Sequence, residues 1–225
     1  MLQKKDFIEI EFTGRVKNGE VFDSNVKEEL QKLHEGHSHE IHAEPFALCL
    51  GEGMFLKAID DFLIGKPETP ANYEINLSPE QAFGKRDAKL IQRIPVKIFR
   101  EQRINPVPGF SFNFDGRIGK ILASSGGRVI VDFNNPIAGK EVVYKIRVLR
   151  KMTDLHEKTK ALIKFLFGNE MKFEIKDSKI ILEVEKPLVE FAKLFKDKFK
   201  EMLNLDMEIK EIEKKTEKKA QIEEK

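Results

Sequence analysis

The sequence predicts an α+β protein of three units. Three observations carry this reading. Strand-period alternation broken by turn residues dominates up to residue 86. A strand cluster with its own Gly and Pro punctuation fills 87–133. After residue 152 the order becomes helix, strand, strand, helix, strand.

The elements follow from local patterns. Between Phe7 and Phe12, Ile8, Ile10 and Phe12 alternate with Glu9 and Glu11, the period of a half-buried strand. Asn18-Gly19, flanked by Val16 and Val21-Phe22, predicts a hairpin. Residues 26–42 are polar, with a helical stretch over Glu28–Leu33. Pro45–Leu50 reads as a buried strand closed by Gly51, and Phe55–Ile64 as a helix closed by Gly65. Tyr73–Leu77 is a strand stopped by Ser78-Pro79.

Within 87–133, strands are expected around Phe112, Ile121 and Val129–Val131, separated by Pro108-Gly109, Asp115-Gly116 and Gly126-Gly127. Asn134-Asn135-Pro136 is a loop, and Glu141–Leu149 a long strand. Asp154 is placed to cap a helix, with Glu157 completing a capping box. Two strands meet at an Asp177-Ser178 turn. Pro187 suits a helix start, and Leu188, Phe191, Leu194, Phe195, Phe199 and Met202 form one apolar helical stripe. Leu205, Met207 and Ile209 alternate as a last strand, and 214–225 is a charged tail.

Composition excludes several classes. Forty Lys and Arg against 38 Asp and Glu leave a net charge of +2, too small for a protein that coats nucleic acid. No run approaches the ~20 apolar residues of a membrane span. The N-terminus lacks a signal-peptide pattern, and Cys49 is the only cysteine, which rules out an intrachain disulfide and a CxxC metal knuckle. The expectation is a cytoplasmic protein with no nucleic-acid or membrane partner. The pair Gly126-Gly127 makes no phosphate-binding pattern. His34, His37, His39 and His42 crowd one polar segment and are weak metal-ligand candidates, weighed against a solvated loop.

Five separated stretches, in order, resemble the FKBP-type peptidyl-prolyl cis-trans isomerases. They are Phe12-Thr13-Gly14, Gly19–Ser24, Pro45-Phe46 with Leu50-Gly51, Leu77–Gly84, and Asn134–Lys140. The likeness is to the long archaeal and SlyD-like branch. It implies a half-barrel antiparallel sheet wrapped on a short helix, formed by 1–86 and 134–152. Residues 87–133 would be the branch's insert-in-flap domain. For residues 153–213 the likeness is in placement only; their element order reads as a C-terminal α/β sandwich-like domain (α-β-β-α-β), and its apolar helix faces and open sheet edges lead to the expectation of a homodimer.

The resemblance also implies a site. Asp23, Phe83 and Tyr144 would be catalytic, and Phe12, Phe22, Phe46, Phe55, Leu56, Ile59 and Ile137 would bind substrate, with Ile59 as the floor. Two positions where the family commonly has tyrosine are Phe12 and Phe83, and Ile59 stands where many members have tryptophan, so weaker binding of the family's macrolide inhibitors is expected. No cofactor is needed, because the X–Pro barrier of about 18–20 kcal/mol comes from amide resonance and is lowered by gripping the twisted bond. Ile91, Ile94, Val96, Ile98, Phe99, Ile104, Phe110, Phe112 and Phe114 would be shared between a small core and a surface for unfolded proline-containing chains. The alternatives are a non-enzymatic holdase chaperone and a metal-binding protein acting through His34–His42.

Overall fold

The alternation of Ile8, Ile10 and Phe12 becomes the central strand of a sheet. The structure, a computed structural model, describes residues 1–33, 43–68, 70–114 and 116–212. Strand β1 (Phe7–Val16) pairs antiparallel with β9 (Val142–Lys151) along its whole length. Its other edge is shared between β2 (Val21–Ser24) and β3 (Phe46–Cys49), and β4 (Ala71–Leu77) closes the sheet beyond β9. Asn25 fills the gap between β2 and β3. Its side chain accepts from the Phe12 amide at 2.6 Å and donates to the Ile10 and Glu44 carbonyls at 3.0 and 3.1 Å, so the backbone of β1 stays paired there.

Helix α1 (Lys27–Leu33) follows β2, and α2 (Lys57–Leu63) precedes β4. Ile59 and Leu63 of α2 are fully buried and join Phe7, Ile8, Ile10 and Val148 in the main core. The hairpin at Asn18-Gly19 forms as expected, with Asn18 at φ 57°.

A second sheet, in the order β5–β8–β7–β6, is built by β5 (Ile91–Pro95), β6 (Ser111–Phe114), β7 (Arg117–Ser125) and β8 (Arg128–Asp132), with α3 (Val96–Glu101) after β5. Its core is separate from the main one: Phe99, Ile121, Val129 and Val131 are buried, with Phe112, Phe114 and Phe133 against them. A Cβ on Gly119 would lie 2.6 Å from Val131 and 2.7 Å from Phe133, so only glycine lets these side chains close over β7. Of the nine apolar residues named for this segment, Phe99 is buried and Ile91, Ile98 and Phe110 are exposed. The other five are half-buried.

The C-terminal region forms α4 (Leu155–Phe167), β10 (Phe173–Lys176), β11 (Lys179–Glu185), α5 (Val189–Lys193), α6 (Lys196–Leu203) and β12 (Asp206–Ile212). Asp177 and Ser178, both at positive φ, make the two-residue turn between β10 and β11. β12 returns parallel to β11 by way of α5 and α6. Leu162, Ile180, Leu182 and Phe199 belong to the same continuous core as Phe7 and Leu50. Ion pairs span the junction: Arg150 of β9 is held by Glu9 and by Glu157, Lys164 by Glu44.

Two local expectations need correction. Asp154 caps α4 by accepting from the Glu157 amide at 2.8 Å, but the Glu157 carboxylate does not complete the box. It binds Arg150 instead at 2.8 and 3.1 Å, because a guanidinium offers a charge-assisted pair. The stripe from Leu188 to Met202 is not one helix. It breaks at Leu194-Phe195 into α5 and α6, leaving Leu188, Phe191 and Leu194 exposed while Phe199 is buried. The histidines at 34, 37, 39 and 42, and the tail from 214, lie outside the described residues. Among the described residues, no group of three or more His, Cys, Asp or Glu could hold a metal, and no helix is long and apolar enough to cross a membrane.

Candidate active site

One row across the main sheet sets the geometry. Gly14 of β1 lies opposite Asp23 of β2 on one side and Tyr144 of β9 on the other, and Tyr144 lies opposite Ile75 of β4. Cross-strand partners share a face, so Asp23, Gly14 and Tyr144 look the same way. A bulge then adds a residue to that face. The register steps from Gly14–Asp23 to Arg15–Val21, skipping Phe22. Strict alternation would turn Phe22 and Asp23 to opposite sides. The bulge re-aims the strand and lets both reach the same hollow.

Gly14 is what makes room. A Cβ there would sit 2.9 Å from Phe22 Cζ and 2.9 Å from Tyr144 Cε1. Both rings therefore lie directly over the bare backbone.

Six rings form a continuous chain. Phe46 meets Phe12 and Phe55 with centroids 6.1 and 5.7 Å apart, and Phe12 meets Phe55 at 4.9 Å. Tyr144 contacts Phe12, Phe55 and Phe22 at 6.2, 5.6 and 5.9 Å, and Phe22 meets Phe83 edge-on at 5.5 Å. Tilted and edge-to-face pairs of this kind are the favoured aromatic geometries. Burial is graded: Phe12 and Tyr144 are buried, while Phe22, Phe46, Phe55 and Phe83 are half-buried. A closed core would bury all six. The gradient describes a bowl with a deep centre and an open rim.

Loops hold the rim. Phe55 and Leu56 end a turn through Gly51 and Gly53, at φ 77° and 73°. Asp60 of α2 ties that turn down by accepting from the Gly51 amide at 3.0 Å. Asp60 is 1% exposed and its other carboxylate oxygen has no partner among the described residues. Burial raises its pKa to about 6, against the opposing pull of the Gly51 and Gly53 amides. Phe83 follows a 3-10 turn (Pro79–Gln81) capped by Ser78 and Gln81. The Gly139 amide donates to the Gly84 carbonyl at 2.8 Å, fastening the loop that carries Ile137 beside Phe83.

Asp23 is exposed at the sheet edge, yet the rings beside its carboxyl remove part of its hydration. This raises its pKa, partly offset by the Ser24 amide. Burial raises the Tyr144 phenol well above its ordinary value, and the Asp23 charge raises it further. The Tyr144 hydroxyl makes no hydrogen bond to a described residue, so it is a neutral donor held inside the bowl.

Eight of the ten site candidates are brought together here. Ile59 is fully buried in the first turn of α2. Ile137 belongs to neither hydrophobic cluster and reaches the site only through its loop. Sequence reasoning missed Gly14 and Asp60. A glycine inside a strand pattern signals a close approach, and an acid between the buried Ile59 and Leu63 signals a purpose-built bond.

The comparisons agree with this geometry. A family model described as FKBP-type peptidyl-prolyl cis-trans isomerase matches residues 1–98, and one described as FKBP26, IF domain, matches residues 92–137. The chain is 29% identical over 148 residues to the short-type peptidyl-prolyl cis-trans isomerase of Methanocaldococcus jannaschii, covering 66% of this chain and 92% of the relative. It is 27% identical over 144 residues to the FKBP-type isomerase SlyD of Aeromonas hydrophila, covering 63% of this chain and 60% of that one. A probable FKBP-type 16 kDa isomerase of Pseudomonas fluorescens is 23% identical over 145 residues, 63% of this chain and 86% of the relative. A sheet whose bulged edge turns a phenylalanine and an aspartate together into a ring-lined bowl thus coincides with family matches running from residue 1 to 137: over that span the chain is similar to the FKBP-type peptidyl-prolyl cis-trans isomerases, and its inserted sheet to the IF domain.

Proposed function

We propose that the ring-lined bowl accelerates X–Pro rotation in unfolded and partly folded chains, and that the sheet of 87–133 captures those chains for it. The observation that carries the reading is the row Asp23–Gly14–Tyr144 beneath half-buried rings. Phe12, Phe22, Phe46, Phe55 and Leu56 grip the proline ring, Ile59 supports them from below, and Ile137 closes one side. An apolar wall withholds the water that would favour the planar, charge-separated amide, so the twisted amide is relatively stabilised.

Asp23, Phe83 and Tyr144 act on the bond itself. Tyr144 supplies the hydroxyl that Phe12 and Phe83 lack, aimed at a substrate carbonyl or at Asp23. Asp23 faces the carbonyl carbon as that carbon loses its resonance with nitrogen. Protease-coupled isomerisation of a tetrapeptide tests this: Asp23→Ala and Phe83→Ala should each lower kcat/KM. Unchanged rates in both would leave a holdase in place of an enzyme.

The division of labour follows the folding units: 1–86 with 134–152 for isomerisation, 87–133 for capture, 153–213 for association. Exposed Ile98, Phe110, Ile118 and Leu122 on the inserted unit support capture of apolar segments. Leu188, Phe191 and Leu194, exposed together on and beside α5, support a homodimer through the C-terminal unit. Light scattering of the full chain against a Leu194→Glu variant tests the dimer, and a monomer in both cases would refute it.

A further inference from the structure

The inserted unit differs from the rest of the chain in charge. Residues 87–133 carry eight Lys and Arg against four Asp and Glu, in a protein whose total is only +2. The other units are stitched with ion pairs. Of the eight cations here, only Lys97 has an acid within ion-pair distance among the described residues. Most of this positive charge is therefore uncommitted.

Some of it lies beside exposed apolar side chains. Ile118, Lys120 and Leu122 sit on the outer face of β7, with Ile118 67% and Leu122 42% exposed. Lys120 is in register with Asp132 of β8, but Asp132 is already engaged by Arg86 and Asn134. Burial alone would raise the Asp132 carboxyl, but the Asn134 bonds and the Arg86 charge outweigh it and hold it below the ordinary value. It stays ionised and bound to them; the Lys120 charge also helps to hold it there, but Lys120 makes no ion pair with it among the described residues. The same residues border a cleft of about 500 Å³ whose far wall is Pro136 and Lys140, on the loop that carries Ile137. Lys140 also has no acid partner among the described residues. The cleft thus lies between the outer face of the inserted sheet and the loop that carries Ile137.

We propose that this cleft selects unfolded segments in which apolar residues are flanked by Asp or Glu. This rests on the capture reading above and gives its substrate class. Ile118 and Leu122 take the apolar side chains, and Lys120 and Lys140 meet the acids on either side. Exposed pairs are individually weak, so the selection is a preference and not a lock. It also steers encounter, since uncommitted cations near an apolar wall attract acidic chains from a distance.

Fluorescence anisotropy with the full chain tests it, using labelled 15-residue peptides that share one proline and the same apolar residues but carry flanking Glu, Gln or Lys. The Glu peptide should bind about 3- to 10-fold tighter than the Gln peptide, and the Lys peptide weaker than both. Raising salt from about 0.05 to about 0.5 M should shrink the difference toward unity. The Lys120→Glu/Lys140→Glu double variant should lose or invert the order while tetrapeptide isomerisation is unchanged. Equal binding of all three peptides, or an order that survives charge reversal, overturns the selection alone. No binding of any peptide with isomerisation intact overturns capture as well. A single-stranded oligonucleotide that binds tighter than the Glu peptide and displaces it would assign the cations to nucleic acid and overturn the proposal.

Discussion

Gly14→Ala adds one methyl group between the two rings of the bowl that stand closest to the backbone. The new Cβ would lie 2.9 Å from Phe22 Cζ and 2.9 Å from Tyr144 Cε1, with Tyr144 Cζ at 3.0 Å. Such separations fall well inside contact distance, and rigid rings cannot fold away as a lysine tip can. Gly14 is not among the positive-φ glycines, so alanine is not strained at that backbone. In open space the substitution would stabilise by about 0.4–1 kcal/mol through the unfolded state. Overpacking of this kind costs about 1–3 kcal/mol. The net expectation is a loss of about 1–2 kcal/mol in chemical denaturation.

Activity should fall more than stability suggests, because Phe22 and Tyr144 are displaced from the site itself. Small misplacements in a positioned site cost on the order of 10–100-fold in rate. Tetrapeptide isomerisation should therefore drop at least about tenfold in kcat/KM at a temperature where the variant is fully folded. Phe22→Leu removes one of the two atoms at 2.9 Å, so the double variant should regain part of the stability and give a coupling of about 1 kcal/mol in a double-mutant cycle. A Gly14→Ala protein as stable and as active as the parent would refute the close-approach argument and the bowl with it.

Tyr144→Phe should lower kcat/KM about 2- to 10-fold, the worth of one hydrogen bond, with unfolding unchanged or slightly favoured toward the folded state; an unchanged rate would remove Tyr144 from catalysis. Activity should decline on acidification at a pH above the ordinary aspartate range, because the Asp23 carboxyl is raised by its surroundings, and Asp23→Asn should abolish that limb of the profile. Asp60 acts on stability in the opposite sense to a salt-bridged acid. Its folded pKa of about 6 exceeds the ordinary aspartate value of 3.8, so the unfolded chain ionises first as pH rises. Stability should fall between about pH 4 and 6, by at most about 3 kcal/mol, and level off above. Asp60→Asn should flatten that window in urea titrations, and an unchanged slope would argue against it. Replacing 87–133 by a short linker should spare tetrapeptide isomerisation and slow catalysis of a proline-limited refolding reaction, whereas equal refolding rates would refute capture.

Much of this was legible in the chain. The alternation in Phe7–Phe12 and Glu141–Leu149 gives both central strands, because a half-buried strand must place apolar residues on every second position. Asn18-Gly19 and Asp177-Ser178 mark hairpins because these residues tolerate positive φ. The aromatic and acidic site residues came from a family resemblance rather than from periodicity, which cannot separate a ring in a core from a ring on a rim. Leu188–Met202 misled because apolar spacing alone does not show where a helix breaks.

Local pattern thus reads off most strands and helices, the turns between them and the apolar face of each, but not the strand Ile91–Pro95, the helix Val96–Glu101 or the break at Leu194-Phe195. What it reads off are properties of neighbours along the chain. Only the tertiary structure decided that a skipped register at Gly14 turns Phe22 and Asp23 to one side, that the C-terminal unit shares a core with the isomerase sheet while the inserted unit keeps its own, and that Lys120 and Lys140 border one cleft. Each of these depends on residues distant in sequence meeting across strands, and local pattern carries no record of which distant partners will meet.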